Sequence, residues 1–195
     1  MRVLQIGVGL IGQERISALL QISKDYSINI DIIGVDKDQE LLAKAKDNFN
    51  IDVYDDLSDV LKEGFDWVFI STPHATAAEL AKEVFKYEPS NVLMEKPLGR
   101  NLKECNEIIQ SKPKNVNLHV GLNYRFYQGI NMLLNHSRRK LFGDLISVNM
   151  ILGHGNSPGM EKSWKLDPVM CGGGCLIDPG VHLLDLVLLL TSATP

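Results

Sequence analysis

The sequence predicts an α/β fold in which a doubly wound parallel sheet is followed by the start of an α/β domain with a mainly antiparallel sheet. Three observations predict it. Short apolar runs alternate with helix-length periodic stretches through the first 120 residues, a Gly-x-Gly-x-x-Gly turn joins the first run to the first helix, and an aspartate closes the second run.

The runs at 3–6, 30–35, 67–70, 92–94 and 118–120 are candidate strands. They are rich in β-branched residues and lack polar alternation, as expected of strands covered on both faces. Between them, 11–22, 39–48, 75–87 and 102–111 carry apolar residues at three- and four-residue spacing, the mark of helices with one buried stripe. Strand–helix alternation of this kind implies parallel pairing through right-handed crossovers. After Gly121 the rhythm changes to a helix at 126–135, a strand at 145–152, a loop at 154–168, Gly172-Gly173-Gly174, and a helix from Pro179 to about Thr191. The predicted domains are therefore 1–122 and 123–195. The second is small for an independent domain. Its last helix is apolar on nearly every side (Val181, Leu183, Leu184, Leu186, Val187, Leu188, Leu189, Leu190) and expects burial all round, so the second domain is expected to be C-terminally truncated.

Composition narrows the function classes. A 45% hydrophobic fraction with 23% charged residues suits a globular protein with a real core. The formal charge of −4 leaves no footprint for nucleic acid or an anionic membrane, and the basic run Arg138, Arg139, Lys140 reads as a solvated helix end. Cys105, Cys171 and Cys175 form neither a disulfide framework nor a metal motif, so a reducing cytoplasmic location and no metal are expected. The apolar stretch 183–190 contains Asp185 and is too short to span a bilayer.

The chemistry begins at Gly7-Val8-Gly9-Leu10-Ile11-Gly12. Gly7 permits a tight turn, Gly9 lets the backbone approach a pyrophosphate, and Gly12 lets helix and strand pack closely. Leu10 and Ile11 open the helix whose N-terminus faces the phosphate charge. Asp36 follows at about the 20-residue separation expected of a ribose-binding acid. This is a Rossmann-type dinucleotide-binding pattern. A carboxylate there repels the 2′-phosphate of NADP, so NAD is the expected cofactor, with Lys37 and Lys44 leaving NADP open.

Further candidates lie at strand ends, where ligands bind in open α/β sheets. Ser71, Thr72, Pro73 and His74 follow the third predicted strand: Pro73 would start a helix, and the hydroxyls would reach cofactor or cap that helix. His74 is a cofactor candidate or a surface loop residue. Glu95-Lys96-Pro97 follows the next strand, where Lys96 would donate to a substrate oxygen or form an ordinary loop. In Asp178-Pro179-Gly180-Val181-His182, Pro179 suits the first helical position and makes Asp178 the N-cap, with His182 in the first turn. The helix terminus disfavours imidazolium and the carboxylate favours it, which suits a group exchanging a hydroxyl proton. The alternative is a capping aspartate beside a buried histidine.

With these residues assembled, the whole chain resembles the glucose–fructose oxidoreductase/inositol dehydrogenase (Gfo/Idh/MocA) family. The resemblance rests on the glycine turn, Ser71-Thr72-Pro73, Glu95-Lys96-Pro97, Asn123-Tyr124-Arg125-Phe126, Trp164 through Asp167-Pro168, and Gly172-Gly173-Gly174 running into Asp178, His182 and Asp185. It implies a two-domain enzyme with Lys96, Asp178 and His182 as catalytic group: His182 the acid/base, Lys96 polarising the substrate oxygen, and Asp178 orienting the pair. Asn123, Arg125 and Trp164 join these three as candidate substrate contacts. The polar loop with His154, Asn156 and Lys162 suits a hydroxylated substrate. His74 and Ala77 stand where the family often has Asn and His, and Glu88-Pro89-Ser90-Asn91 replaces its usual turn.

The expected function is hydride transfer between a nicotinamide and a hydroxyl-bearing carbon of a sugar, inositol or sugar derivative, by a full-length protein that forms homo-oligomers. An NAD-dependent glycosidase of the same family and a non-catalytic dinucleotide-binding or inactive fragment are the alternatives.

Overall fold

The apolar runs become the strands β1 (Arg2–Ile6), β2 (Asp31–Val35), β4 (Trp67–Ile70), β5 (Asn91–Met94) and β6 (Asn117–Val120), joined by a short β3 (Asp52–Tyr54). The structure, a computed structural model, describes residues 1–153 and 163–192. It divides into two units, Met1–Val120 and Gly121–Pro195. In the first, the six strands form one sheet in the order β3-β2-β1-β4-β5-β6, and every pair is parallel. Ile6 stands opposite Val35 on one side and Ile70 on the other, so the ends of β1, β2 and β4 are level at one edge of the sheet.

Four helices make the crossovers: α1 (Leu10–Tyr26), α2 (Gln39–Phe49), α3 (His74–Phe85) and α4 (Leu102–Ser111). Their apolar stripes cover both faces of the sheet. Val3, Ile16, Leu19, Ile32 and Leu42 belong to one buried cluster, while Leu4, Ile33, Val68, Ala81 and Ile108 belong to another. Consecutive residues of β1 thus enter opposite layers, and each fully buried aliphatic side chain contributes roughly 1.5–3 kcal/mol. Caps set the helix starts. The Asp38 carboxylate accepts from Glu40 N and Leu41 N before α2, and Asn101 Oδ1 accepts from Glu104 N before α4.

β3 is absent from the sequence reading. At three residues, with an aspartate and no buried side chain, it has no apolar run to announce it; its pairing with β2 makes it a strand. Helix α1 continues past the predicted end to Tyr26, closing on Ser27 in the left-handed region at φ 52°.

The second unit contains a 3-10 turn at Asn123–Phe126, helix α5 (Gln128–Arg138), a turn at Trp164–Leu166, the short α6 (Pro168–Cys171) and α7 (Gly180–Thr191). The expected strand at 145–152 does not form: that segment is irregular, with Ile146 97% and Ile151 93% exposed. A strand needs a hydrogen-bonded neighbour, and among the described residues this unit offers none. Helix α7 inverts the usual burial. His182, Asp185 and Leu186 are its buried residues, while Leu184 is exposed.

Candidate functional site

At the level strand ends the chain builds a cradle. Gly7 has φ +83°, and a Cβ there would lie 2.6 Å from Ser71 O and 2.9 Å from Thr72 Cγ2, so the turn needs both the left-handed backbone and the missing side chain. At Gly12 a Cβ would press on the Gly7 carbonyl, within 2.9 Å of its carbon and closer to its oxygen. That oxygen accepts a 3.0 Å bond from Nε2 of Gln5, which is fully buried. Gly9, the N-cap of α1, has open space around its Cβ position and no side-chain cap. The first-turn N–H groups of α1, with the positive end of the helix dipole, therefore face an uncrowded site suited to a diphosphate. Beside it Asp36 Oδ2 accepts from Val8 N at 2.8 Å and Oδ1 from Asp38 N at 3.1 Å, fixing the carboxylate at the end of β2. These donors, this space and this carboxylate fit a dinucleotide.

The neighbouring strand ends carry the next candidates. Ser71 N donates to Ile6 O at 2.8 Å, tying the exit of β4 to that of β1. Pro73 is the N-cap of α3 rather than its first residue, because the helix begins at His74. His74 is buried, not a surface loop residue. The Thr72 hydroxyl accepts from that of Thr76 at 3.1 Å and makes no cap bond. Glu95 N donates to Ile70 O at 3.0 Å, which places Glu95 and the half-buried Lys96 just past β5, before the cis Lys96-Pro97 bond. Arg15 of α1 reaches Glu95 Oε1 from Nε at 2.9 Å and from Nη2 at 2.5 Å.

In the second unit the buried polar residues gather around α7. His182 is 4% exposed, and Tyr124 lies face to face on its imidazole, with centroids 4.1 Å apart and planes 5° from parallel. Tyr127 stacks in turn on Tyr124 at 4.9 Å. Arg125 grips both carboxylate oxygens of Asp185, a bond that raises the guanidinium above its ordinary pKa. Asp178 is not the N-cap of α7. Pro179 holds that position after a cis Asp178-Pro179 bond, no side chain caps the helix, and the Asp178 carboxylate pairs with Lys165 Nζ at 2.8 Å. A cavity of about 270 Å³ adjoins this pair, lined also by Leu152, Gly174 and Cys175. Trp164 sits on the turn beside Lys165, and Asn123 is exposed at the start of its own turn. His154, Asn156 and Lys162 lie outside the described residues.

Residues 1–124 match the oxidoreductase family described as having an NAD-binding Rossmann fold, and residues 135–195 match the GFO/IDH/MocA C-terminal domain. The chain belongs to the Gfo/Idh/MocA oxidoreductase family. Its first unit is the family's NAD-binding domain. The Gfo/Idh/MocA chain is 25% identical over 189 residues to glucose-6-phosphate 3-dehydrogenase of Bacillus subtilis (strain 168), an alignment covering 93% of this chain and 51% of that protein. Among solved structures, levoglucosan dehydrogenase in complex with NADH and levoglucosan superimposes with a TM-score of 0.83 at 23% identity, over 97% of this chain and 54% of that one. The WlbA dehydrogenase from Bordetella pertussis, in complex with NADH and UDP-GlcNAcA, gives 0.82 at 21% identity, over 97% and 55%. These two likenesses show the fold. The chain spans about half the length of the curated relatives it matches.

Among the described residues no three His, Cys, Asp or Glu side chains are placed to hold a metal ion, and no helix is long and apolar enough to cross a membrane. Four residues beside the site candidates are not singled out by the sequence: Gln5 and Arg15 in the first unit, and Tyr124 and Lys165 in the second. Arg15 had a signal, because it falls three residues after Gly12 on the sheet-facing side of α1, where a charge requires a partner.

Proposed function

We propose that the protein carrying this chain is an NAD-dependent oxidoreductase that transfers a hydride from a hydroxyl-bearing carbon of a sugar, inositol or sugar derivative, and runs the reverse reduction. The observation that carries the reading is the buried imidazole of His182 in the first turn of a helix that is apolar apart from Asp185 and Thr191, in a chain whose other unit is an NAD-binding domain. A histidine whose ordinary pKa lies near neutrality is suited to taking and returning a hydroxyl proton.

When bound, the nicotinamide supplies the hydride acceptor. This chain's residues do the rest. Gly7, Gly9, Leu10, Ile11 and Gly12 receive the diphosphate at the head of α1, and Asp36 receives the adenosine ribose. Ser71, Thr72, Pro73, His74 and Glu95 line the strand ends beyond it. Lys96 donates to the substrate oxygen and stabilises negative charge as it develops there, and His182 takes the hydroxyl proton. Asp178, held by Lys165, orients the pair, while Asn123, Arg125 and Trp164 shape the substrate's surroundings. The names of the relatives, which include a sugar phosphate, an anhydrosugar and a sugar nucleotide, support a carbohydrate as substrate class.

The test is a panel of polyols, sugars, sugar phosphates and sugar nucleotides, followed by NADH absorbance with NAD or NADP. With the active substrate found, Lys96→Met and His182→Gln should each lower kcat by about 10²-fold or more. The dissociation constant for NADH should stay within a few-fold for His182→Gln. Unimpaired turnover in both variants would sink the assignment.

A further inference from the structure

Tyr124 lies in contact with the proposed acid/base yet has no part in the chemistry above. A histidine ring turns about a broad, roughly two-fold torsion, so burial alone does not fix where its nitrogens point. At 4.1 Å and 5° from parallel, the Tyr124 ring covers one whole face of the His182 imidazole. Tyr124 is itself held by its neighbours. Tyr127 stacks on it at 4.9 Å and 28°, and its chain neighbour Arg125 is clamped to Asp185, about one turn beyond His182 on α7. The Asp185 side chain is only 8% exposed, so the carboxylate end of that clamp is shielded from water, while the Arg125 side chain is 41% exposed.

We propose that Tyr124 is a positioning residue for His182: its ring, anchored to α7 through Arg125 and Asp185, holds the imidazole plane in the orientation that accepts the hydroxyl proton. The inference rests on the reading of His182 as acid/base. In that step the O–H electrons form the carbonyl as the hydride leaves carbon, and the proton passes to an imidazole nitrogen. The cation so formed lies over the negative face of the tyrosine ring, which favours it further. The aromatic ring does this, not the hydroxyl.

The experiment compares Tyr124→Phe and Tyr124→Leu with the unaltered protein. Imidazole proton signals of His182, identified by their loss in His182→Gln, are recorded for all three in the 195-residue chain. Turnover and NADH affinity are measured in the protein that carries it. The His182 signals should lie upfield through the ring current in the unaltered chain and in Tyr124→Phe, and move downfield in Tyr124→Leu. Tyr124→Leu should lose tenfold or more in kcat with NADH affinity unchanged, while Tyr124→Phe stays within about threefold. Equal loss in both variants would assign the role to the hydroxyl and overturn the proposal, as would full kcat in Tyr124→Leu. Should Tyr124→Leu fail to fold, the unaltered chain and Tyr124→Phe still decide: unshifted signals, or a tenfold loss of kcat in Tyr124→Phe, overturn it. Full activity of His182→Gln would instead remove the acid/base reading, leaving the ring shifts to report the stack alone.

Discussion

Replacing Gly12 and Gly9 by alanine should separate what the phosphate turn does for folding from what it does for binding. A methyl at position 12 meets the Gly7 carbonyl, with the carbon 2.9 Å away and the oxygen nearer still, and both are backbone atoms that no rotamer change can move. Relieving that overlap costs about 1–3 kcal/mol, as for other overpacked sites. Displacing the oxygen also breaks the 3.0 Å bond from the buried Gln5 amide, at about 1–3 kcal/mol for a stranded donor. Alanine returns about 1 kcal/mol through its helix propensity. The net loss centres on about 3 kcal/mol, or about 10 °C in melting temperature for a chain of this size. At position 9 the backbone is extended, at φ −67° and ψ −163°, and nothing lies within 4 Å of the new methyl. Gly9→Ala should therefore melt within about 3 °C of the unaltered protein, losing only a weak N-cap preference. It should nevertheless bind NADH at least tenfold more weakly, because the methyl enters the space a diphosphate approaches. Differential scanning fluorimetry and NADH fluorescence titration measure the two quantities. Unchanged melting of Gly12→Ala would show that the close approach is not needed, and unchanged NADH affinity of Gly9→Ala would place the phosphates elsewhere.

Three further outcomes follow from named contacts. Asp36→Ala removes the carboxylate bonded to Val8 N and Asp38 N, and should weaken NADH binding while narrowing the preference for NADH over NADPH, read by the same titration. Arg15→Glu should weaken NADH binding several-fold with ADP-ribose binding nearly unchanged, and Arg15→Glu with Glu95→Arg should recover at least half of the loss; failure of the double variant to recover would show that the pair does not act as a unit. Glu104 is held below the ordinary carboxylate pKa, chiefly by its bonds from Arg100, so its contribution is present above the unfolded-state pKa and is lost as pH falls through the folded value. Glu104→Gln should accordingly cost about 1 kcal/mol at neutral pH and progressively less as pH falls below the ordinary carboxylate range, measured by urea denaturation.

The first unit was legible because its signals are local. Apolar runs of three to six residues between periodic stretches read as strands, and the glycine spacing locates the turn without reference to distant residues. β3 escaped because its identity lies in pairing with β2 rather than in Asp52, Val53 and Tyr54 themselves. The same holds for 145–152, whose apolar residues suggest a strand but supply no partner. Residue type and sequence position single out Asp36, Lys96 and His182 as candidates, which lie past β2, past β5 and in the first turn of α7, but they do not give the partners of the candidates. Asp178 looked like a cap from its place before Pro179, yet it pairs with Lys165, which loop geometry alone brings near. Tyr124 stands in the Asn123-Tyr124-Arg125-Phe126 motif, but a ring stack depends on where a turn lands on a helix.

The sheet order has a consequence for the order of assembly. β1 is flanked by β2 and β4, and the turn that follows it is walled by Ser71 and Thr72, which leave the ribosome long after Gly7. A nascent chain that stops short of β4 can pair β1 with β2 but cannot close the far wall of the turn. Dinucleotide capture during synthesis therefore reports that the central three strands have joined, and a cofactor analogue would trap only chains past that point. Because these contacts are distant in sequence, the joining should be slow compared with helix formation, and it marks the interval in which the bare edge of β1 is open to mispairing.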